Sequence, residues 1–281
     1  MELFTRVFKV KIITIIIHIP LILFIPVSLA HSRPKEKPID INTVTGKISQ
    51  ERYTRQQIRS ILFLYLSQQQ LPPTQTASKE ETFNILKAKE NSLYVLDYVR
   101  SAQSWREVCT RVKKALKWIH SLSLQPDDHS QKNSLDSIQK IFLALTIHNS
   151  SNSLQNKNLR ILIGYAYLVP SLRTALQSSS SSISREVIRA AEIYTLLCRQ
   201  QKKLPSSYAI EMYNLLLQIP SITSDEKAKF AYFLAYLYLN TNQYRHATKI
   251  SKLIPPIEGM KGASSRIQKQ ALQRYQASSR K

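Results

Sequence analysis

The chain has 281 residues, with 40 Lys and Arg against 18 Asp and Glu, a formal net charge of +22. Four glycines in this length fall far below the ~7% of an average protein, leaving little material for phosphate-cradling loops or dinucleotide fingerprints. Such a chain buries a substantial core, as one elongated domain or two small ones, and its Leu/Ile/Gln/Lys/Ser stretches favour helices over sheets.

Residues 1–30 have a basic start (Arg6, Lys9, Lys11), then the apolar run "IITIIIHIPLILFIPVSLA", which ends in Ser28 and Ala30 at signal-peptidase spacing. The expectation is a signal peptide cleaved before His31. The alternative is a membrane anchor through residues 12–30, because 19 residues just reach across a bilayer; Pro20 and Pro26 weigh against it. Both readings export the protein, as a periplasmic, secreted or membrane-anchored species. Residues 31–281 keep 37 Lys/Arg against 17 Asp/Glu, a net +20. That balance suits an acidic protein, anionic lipid or an acidic envelope polymer. Nucleic acid would satisfy the charge but not the export. Residues 31–48, "HSRPKEKPIDINTVTGKI", lack an apolar period and read as a flexible linker.

A helical body is expected over residues 49–257. Prolines at 72, 73, 126, 170, 205, 220, 255 and 256 fall between periodic segments, as a multi-helix protein requires when an interior proline costs ~3 kcal/mol. The pattern predicts helices over 50–69, 79–101, 104–123, 134–148, 157–168, 170–177, 185–200, 206–218, 224–240 and 243–254, then a basic C-terminal helix or tail within 258–281. Ser78–Glu81 and Thr223–Glu226 fit the S/T-x-x-E capping box, and Ser184 caps the helix after the serine run at 178–182. In helix 104–123, Trp105, Val108, Cys109, Val112, Leu116 and Ile119 form an apolar stripe. Arg106, Lys113 and Lys117 lie off it, as a candidate anion-binding face or a solvated one. Cys109 and Cys198 sit on apolar helix sides as small buried hydrophobes, with a single disulfide as the alternative.

The segment "KFAYFLAYLYLNTNQYRHATKIS", residues 229–251, resembles a tetratricopeptide repeat. Ala231, Leu234, Ala235 and Tyr238 match its first-helix spacing, and after "NTNQ" Tyr244 and Ala247 match the second helix. The resemblance covers residues 228–256 and, in degenerate form, 185–220. There Val187, Ala190, Ala191 and Tyr194 carry the first-helix spacing, and Ala209, Tyr213 and Pro220 the second. Ile163, Gly164 and Tyr167 form a fragment of the same signature. The small residues 164, 191 and 235 are separated by 27 and 44 positions, against about 34 in the family, and Ser251 stands where the family prefers an aromatic. The resemblance implies an all-α, solenoid-like array of helical hairpins whose concave face binds peptides or proteins. Tyr232 and Tyr236 lie on another side of their helix from Leu234 and Tyr238. They are candidate partner-binding residues, with packing against the next repeat as the alternative.

Catalytic patterns are absent from the sequence. Asp127, Asp128 and His129 in "QPDDHSQ" read as a solvated turn, and no metal or cofactor is expected. No carboxylate stands between residues 137 and 185, so an envelope polysaccharide hydrolase would lack a visible acid. From Met260 onward the chain carries Lys261, Arg266, Lys269, Arg274, Arg280 and Lys281 without an acid, as a solubilising tail, a cap on the last repeat, or an anionic-membrane contact. The expected function is an exported, non-catalytic protein–protein interaction scaffold in a bacterial envelope or secreted fraction. The rival is a basic surface protein that binds anionic lipid or polymer.

Overall fold

Thr54 and Thr223 each build a reciprocal capping box. Thr54 Oγ1 accepts the Gln57 N–H at 3.2 Å while Gln57 Oε1 accepts the Thr54 N–H at 2.8 Å. Glu226 plays the same part for Thr223, at 3.2 and 2.7 Å. Two of the orphan amides that every helix start leaves are satisfied in this way. Ser153 and Ser184 cap two further helices by accepting the N–H groups of Asn156 and Val187.

The computed structural model describes residues 38–45, 53–69, 93–122, 128–148, 153–178, 183–201, 204–255, 259–260 and 262–278, all within one unit spanning Pro38–Lys281. These residues form helices and no strand. They are α1 (Arg55–Gln68), α2 (Leu93–Arg100), α3 (Trp105–Leu122), α4 (Asp128–Ile147), α5 (Leu154–Ile163), a π turn (Gly164–Leu168) and α6 (Val169–Gln177). Then follow α7 (Arg185–Gln200), α8 (Ser206–Leu216), α9 (Ser224–Asn240), α10 (Tyr244–Ser251) and α11 (Ala263–Ser278). No helix among the described residues is long and apolar enough to cross a membrane. The basic and apolar start, Ser78–Glu81, Asp127 and the serines at 179–182 lie outside the described residues.

Two packing patterns share this unit. Helix α4 packs against α2, α3, α6 and α7, and burying Leu135, Ile138, Ile141, Phe142, Ala144 and Leu145 makes it the centre of the first half of the core. From α7 onward each helix packs on its neighbour: α7 on α8, α8 on α9, α9 on α10, α10 on α11. Asn242, at φ 60°, makes the tight α9–α10 turn, which the Gln243 N–H closes by donating to Tyr238 O at 2.8 Å.

Several expectations are corrected. Helix α4 starts at Asp128 instead of 134, so Asp128 and His129 belong to a helix rather than a loop. The ordered body reaches back into the expected linker: Ile41 is 2% exposed, and Asn42 accepts the Asn158 side-chain amide at 2.5 Å. The C-terminal stretch forms a helix, α11, that packs on α9 and α10 through Ala263, Ile267 and Ala271, while Leu272 and Tyr275 stay exposed. The cysteines, by contrast, stand as expected: Cys109 in α3 and Cys198 in α7 are buried free thiols.

Pro170 does not separate two helices. The run from Leu154 to Gln177 continues through the π turn, with Pro170 in the first turn of α6. A proline there has no N–H for the preceding turn. The freed carbonyls find donors elsewhere: Arg55 Nε donates to Tyr165 O at 3.2 Å, and Arg59 Nε donates to Ala166 O at 3.0 Å. The two guanidiniums also lie over the Tyr165 and Tyr167 rings, 5.1 and 4.7 Å from the centroids. Arg55 Nη2 and Arg173 both reach Glu211, Arg55 at 2.6 Å, which ties α1 and α6 to α8.

Candidate functional site

Helix α7 buries Val187, Ile188, Ala190, Ala191, Tyr194, Leu197 and Cys198 as a continuous face. Ile193 and Leu196 fall outside it, and Leu196 is 49% exposed. Beside them on α7 stand Arg185, Arg189, Glu192 and Arg199. Across from this face, α9 presents Glu226, Lys229 and Phe233 at helical spacing. Between the two helices lies a groove of about 720 Å³, lined also by Phe230 of α9, Tyr213 of α8 and Thr146 of α4. That volume falls within the range of small-molecule and side-chain pockets, ~300–1,000 Å³.

Long side chains bridge the groove. Arg185 Nη1 pairs with Glu226 Oε2 at 2.6 Å, and Lys229 Nζ pairs with Glu192 Oε1 at 2.9 Å. Both cations are about half exposed, so each pair contributes at most ~1 kcal/mol. Arg199 lies over the Phe233 ring, 3.9 Å from its centroid, and donates to Tyr213 Oη at 3.4 Å. Phe233 in turn stacks near Tyr213, centroids 6.1 Å apart. Arg189 is exposed and has no ion-pair partner among the described residues. Behind Thr146, the buried Arg160 donates from Nη1 to Thr146 Oγ1 at 3.3 Å. Partial burial pushes the Glu226 carboxyl up, but hydrogen bonds from the Thr223 backbone and the Arg185 guanidinium outweigh it, so Glu226 stays below its ordinary 4.5.

The residues singled out in the sequence fall in two places, and none of them lines the groove. Tyr236 is 45% exposed and follows Lys229 and Phe233 on α9, about a turn beyond the groove. Tyr232 is half-buried and meets Phe233 edge to face at 5.6 Å, so it supports the groove wall from outside. Arg106, Lys113 and Lys117 share one stripe of α3. Arg106 and Lys117 are exposed, while Lys113 is half-buried and donates to Ser67 Oγ at 2.5 Å. Burial and the neighbouring Lys117 both hold the Lys113 ammonium below its ordinary value.

The repeat-like small residues do what close helix packing requires. Ala231, Leu234, Ala235 and Ala247 are fully buried, as are Ala190, Ala191 and Tyr194. A Cβ on Gly164 would stand 2.1 Å from Tyr194 Cδ2. Ser251, in the place of an aromatic, is also fully buried and donates to Thr248 O at 2.9 Å. Among the described residues no cluster of three His, Cys, Asp or Glu side chains is arranged to hold a metal ion. No family model, no curated protein and no solved structure matches the chain.

Proposed function

We propose that this protein is an exported, non-catalytic interaction scaffold that seats a segment of a partner protein in the groove between α7 and α9. The α7–α8 and α9–α10 pairs are read as two tetratricopeptide-like hairpins, and the groove lies between the helices that carry the first-helix spacing. The observation that carries the reading is the pairing, in one slot, of exposed Leu196 and half-buried Ile193 and Phe233 with four cations. Monomers rarely leave large apolar side chains open in a walled cleft without use for them. Apolar anchors ringed by polar groups are the usual anatomy of a peptide-binding groove.

A display selection of random 16-residue peptides on the full chain tests this. Selected peptides should lose at least tenfold in affinity on Leu196→Asp and keep their affinity on Lys117→Glu. Failure to enrich any peptide would refute the reading. The reverse pattern would favour a second reading, in which the basic stripe of Arg106, Lys113 and Lys117 on α3 grips an anionic surface.

A further inference from the structure

We infer that the segment held in this groove is acidic, with two carboxylate clusters about 15 Å apart flanking apolar anchors. The inference rests on the groove reading above and adds the chemistry of the occupant. Of the four cations lining the groove, Arg185 and Lys229 are matched by Glu226 and Glu192 within the chain. Arg189 and Arg199 are not matched by any carboxylate among the described residues. Arg199 spends its contacts on the Phe233 face and the Tyr213 hydroxyl, and its planar fork keeps further donors free for a carboxylate. Arg189 is exposed on the same helix ten residues earlier, which is about 15 Å along the axis at ~1.5 Å per residue. Ile193 and Leu196 stand between them. The four lining cations against two lining carboxylates leave the slot basic before any ligand enters.

Arg199, although exposed, is held over the Phe233 ring, and a planar fork oriented in this way loses less freedom when it meets an incoming carboxylate than an unheld one. A neutral or basic segment would gain the apolar contacts but leave Arg189 and Arg199 unpaired beside it. Like-charge juxtaposition at an interface is a device that rejects wrong partners. The slot is lined by residues of α7, α8 and α9, and a walled slot suits inserted side chains better than a flat layer of lipid headgroups.

The test uses a fluorescein-labelled 16-residue amphipathic peptide with Leu at every third or fourth position and Glu or Asp elsewhere, and a counterpart carrying Lys at each acidic position. Anisotropy is read with the full chain at 50 and 300 mM NaCl. The acidic peptide should bind saturably, at least tenfold tighter than its counterpart at both salts. Arg189→Glu should weaken it at least fivefold and Arg189→Ala by a smaller factor, both with unchanged urea midpoints; Lys117→Glu should leave it within twofold. Equal binding of the two peptides, or indifference to Arg189→Glu, overturns the acidic preference. So does binding to phosphatidylglycerol vesicles that Arg189→Glu abolishes while the peptide is ignored. If display-selected peptides depend on Leu196 yet carry no acidic bias, this inference fails and the groove stands. If neither selected nor designed peptides bind, both fall.

Discussion

Replacing Gly164 with alanine isolates a single steric contact. Gly164 has φ −59° and ψ −49°, which any L-residue adopts, so alanine strains nothing in the backbone and would by itself gain ~0.5–1 kcal/mol over glycine in a helix. The added Cβ would lie 2.1, 2.5 and 2.9 Å from Tyr194 Cδ2, Cε2 and Cγ. Those atoms belong to a ring that is 0% exposed, and Cγ is fixed one bond from Tyr194 Cβ, so the ring has no free end to swing aside. Overpacking of this kind costs ~1–3 kcal/mol or more. A net loss of ~2 kcal/mol, with a urea slope of ~2–3 kcal/mol/M, lowers the unfolding midpoint by ~0.7–1 M. The partner variant Tyr194→Ala costs ~3–5 kcal/mol for the cavity it leaves, but in that background Gly164→Ala should become neutral or stabilising. The coupling measured by the four-protein cycle should therefore reach ~2 kcal/mol or more. A Gly164→Ala protein with an unchanged or raised midpoint would refute the close approach of α7 to the π turn.

Three further outcomes follow from the described contacts. Arg59→Met keeps a side chain over Tyr167 but removes the donor to Ala166 O, and it should cost ~1–3 kcal/mol in urea unfolding; a loss below ~0.3 kcal/mol would mean water serves that carbonyl equally well. Burial pushes the Cys109 and Cys198 thiols from 9.0 up to about 12, so alkylation at pH 8 should run at least ~1,000-fold slower than for a free thiol and become fast in denaturant. Two thiols modified in the native protein at the free rate would contradict their burial. Glu226, held below 4.5, contributes stability that is present above that value and is lost as pH falls through its folded pKa. Glu226→Gln keeps the capping box and drops the charge, so the stability gap between it and the parent protein should close as pH falls from 4.5 through the lowered folded pKa; a gap independent of pH would remove the charge from the argument.

Much of the helical framework was legible because its signals are local. Threonine and serine caps, junction prolines and the α3 stripe from Val108 to Ile119 act within a turn or two of themselves. The small residues at 164, 191 and 235 were legible as positions of close packing, although no sequence rule names Tyr194 as what Gly164 must admit. The π turn was not legible: its freed carbonyls are satisfied by Arg55 and Arg59, 110 and 107 residues away. Without those partners, Pro170 reads as a break. The groove was missed for a related reason, since it depends on the distance at which α8 holds α7 from α9. One sequence signal did point to it. Ile193 and Leu196 fall off the buried face of α7, interleaved with Arg185, Arg189 and Arg199, and apolar side chains among arginines on a helix's outer side mark a surface with a use. The aromatic stretch of α9 drew attention to Tyr232 and Tyr236, whereas Phe230 and Phe233 are the α9 rings that line the groove.

Position-resolved photocrosslinking tests the central claim most directly. A benzophenone-bearing amino acid is placed at position 196 in the groove, at 117 on the basic stripe of α3, or at 272 on the exposed side of α11, in the full chain expressed in its own cells. Irradiation should give a discrete protein adduct from position 196 that Arg189→Glu diminishes, with none from 117 or 272. Adducts from 117 or 272 with none from 196 would contradict the groove and move recognition to the basic surface.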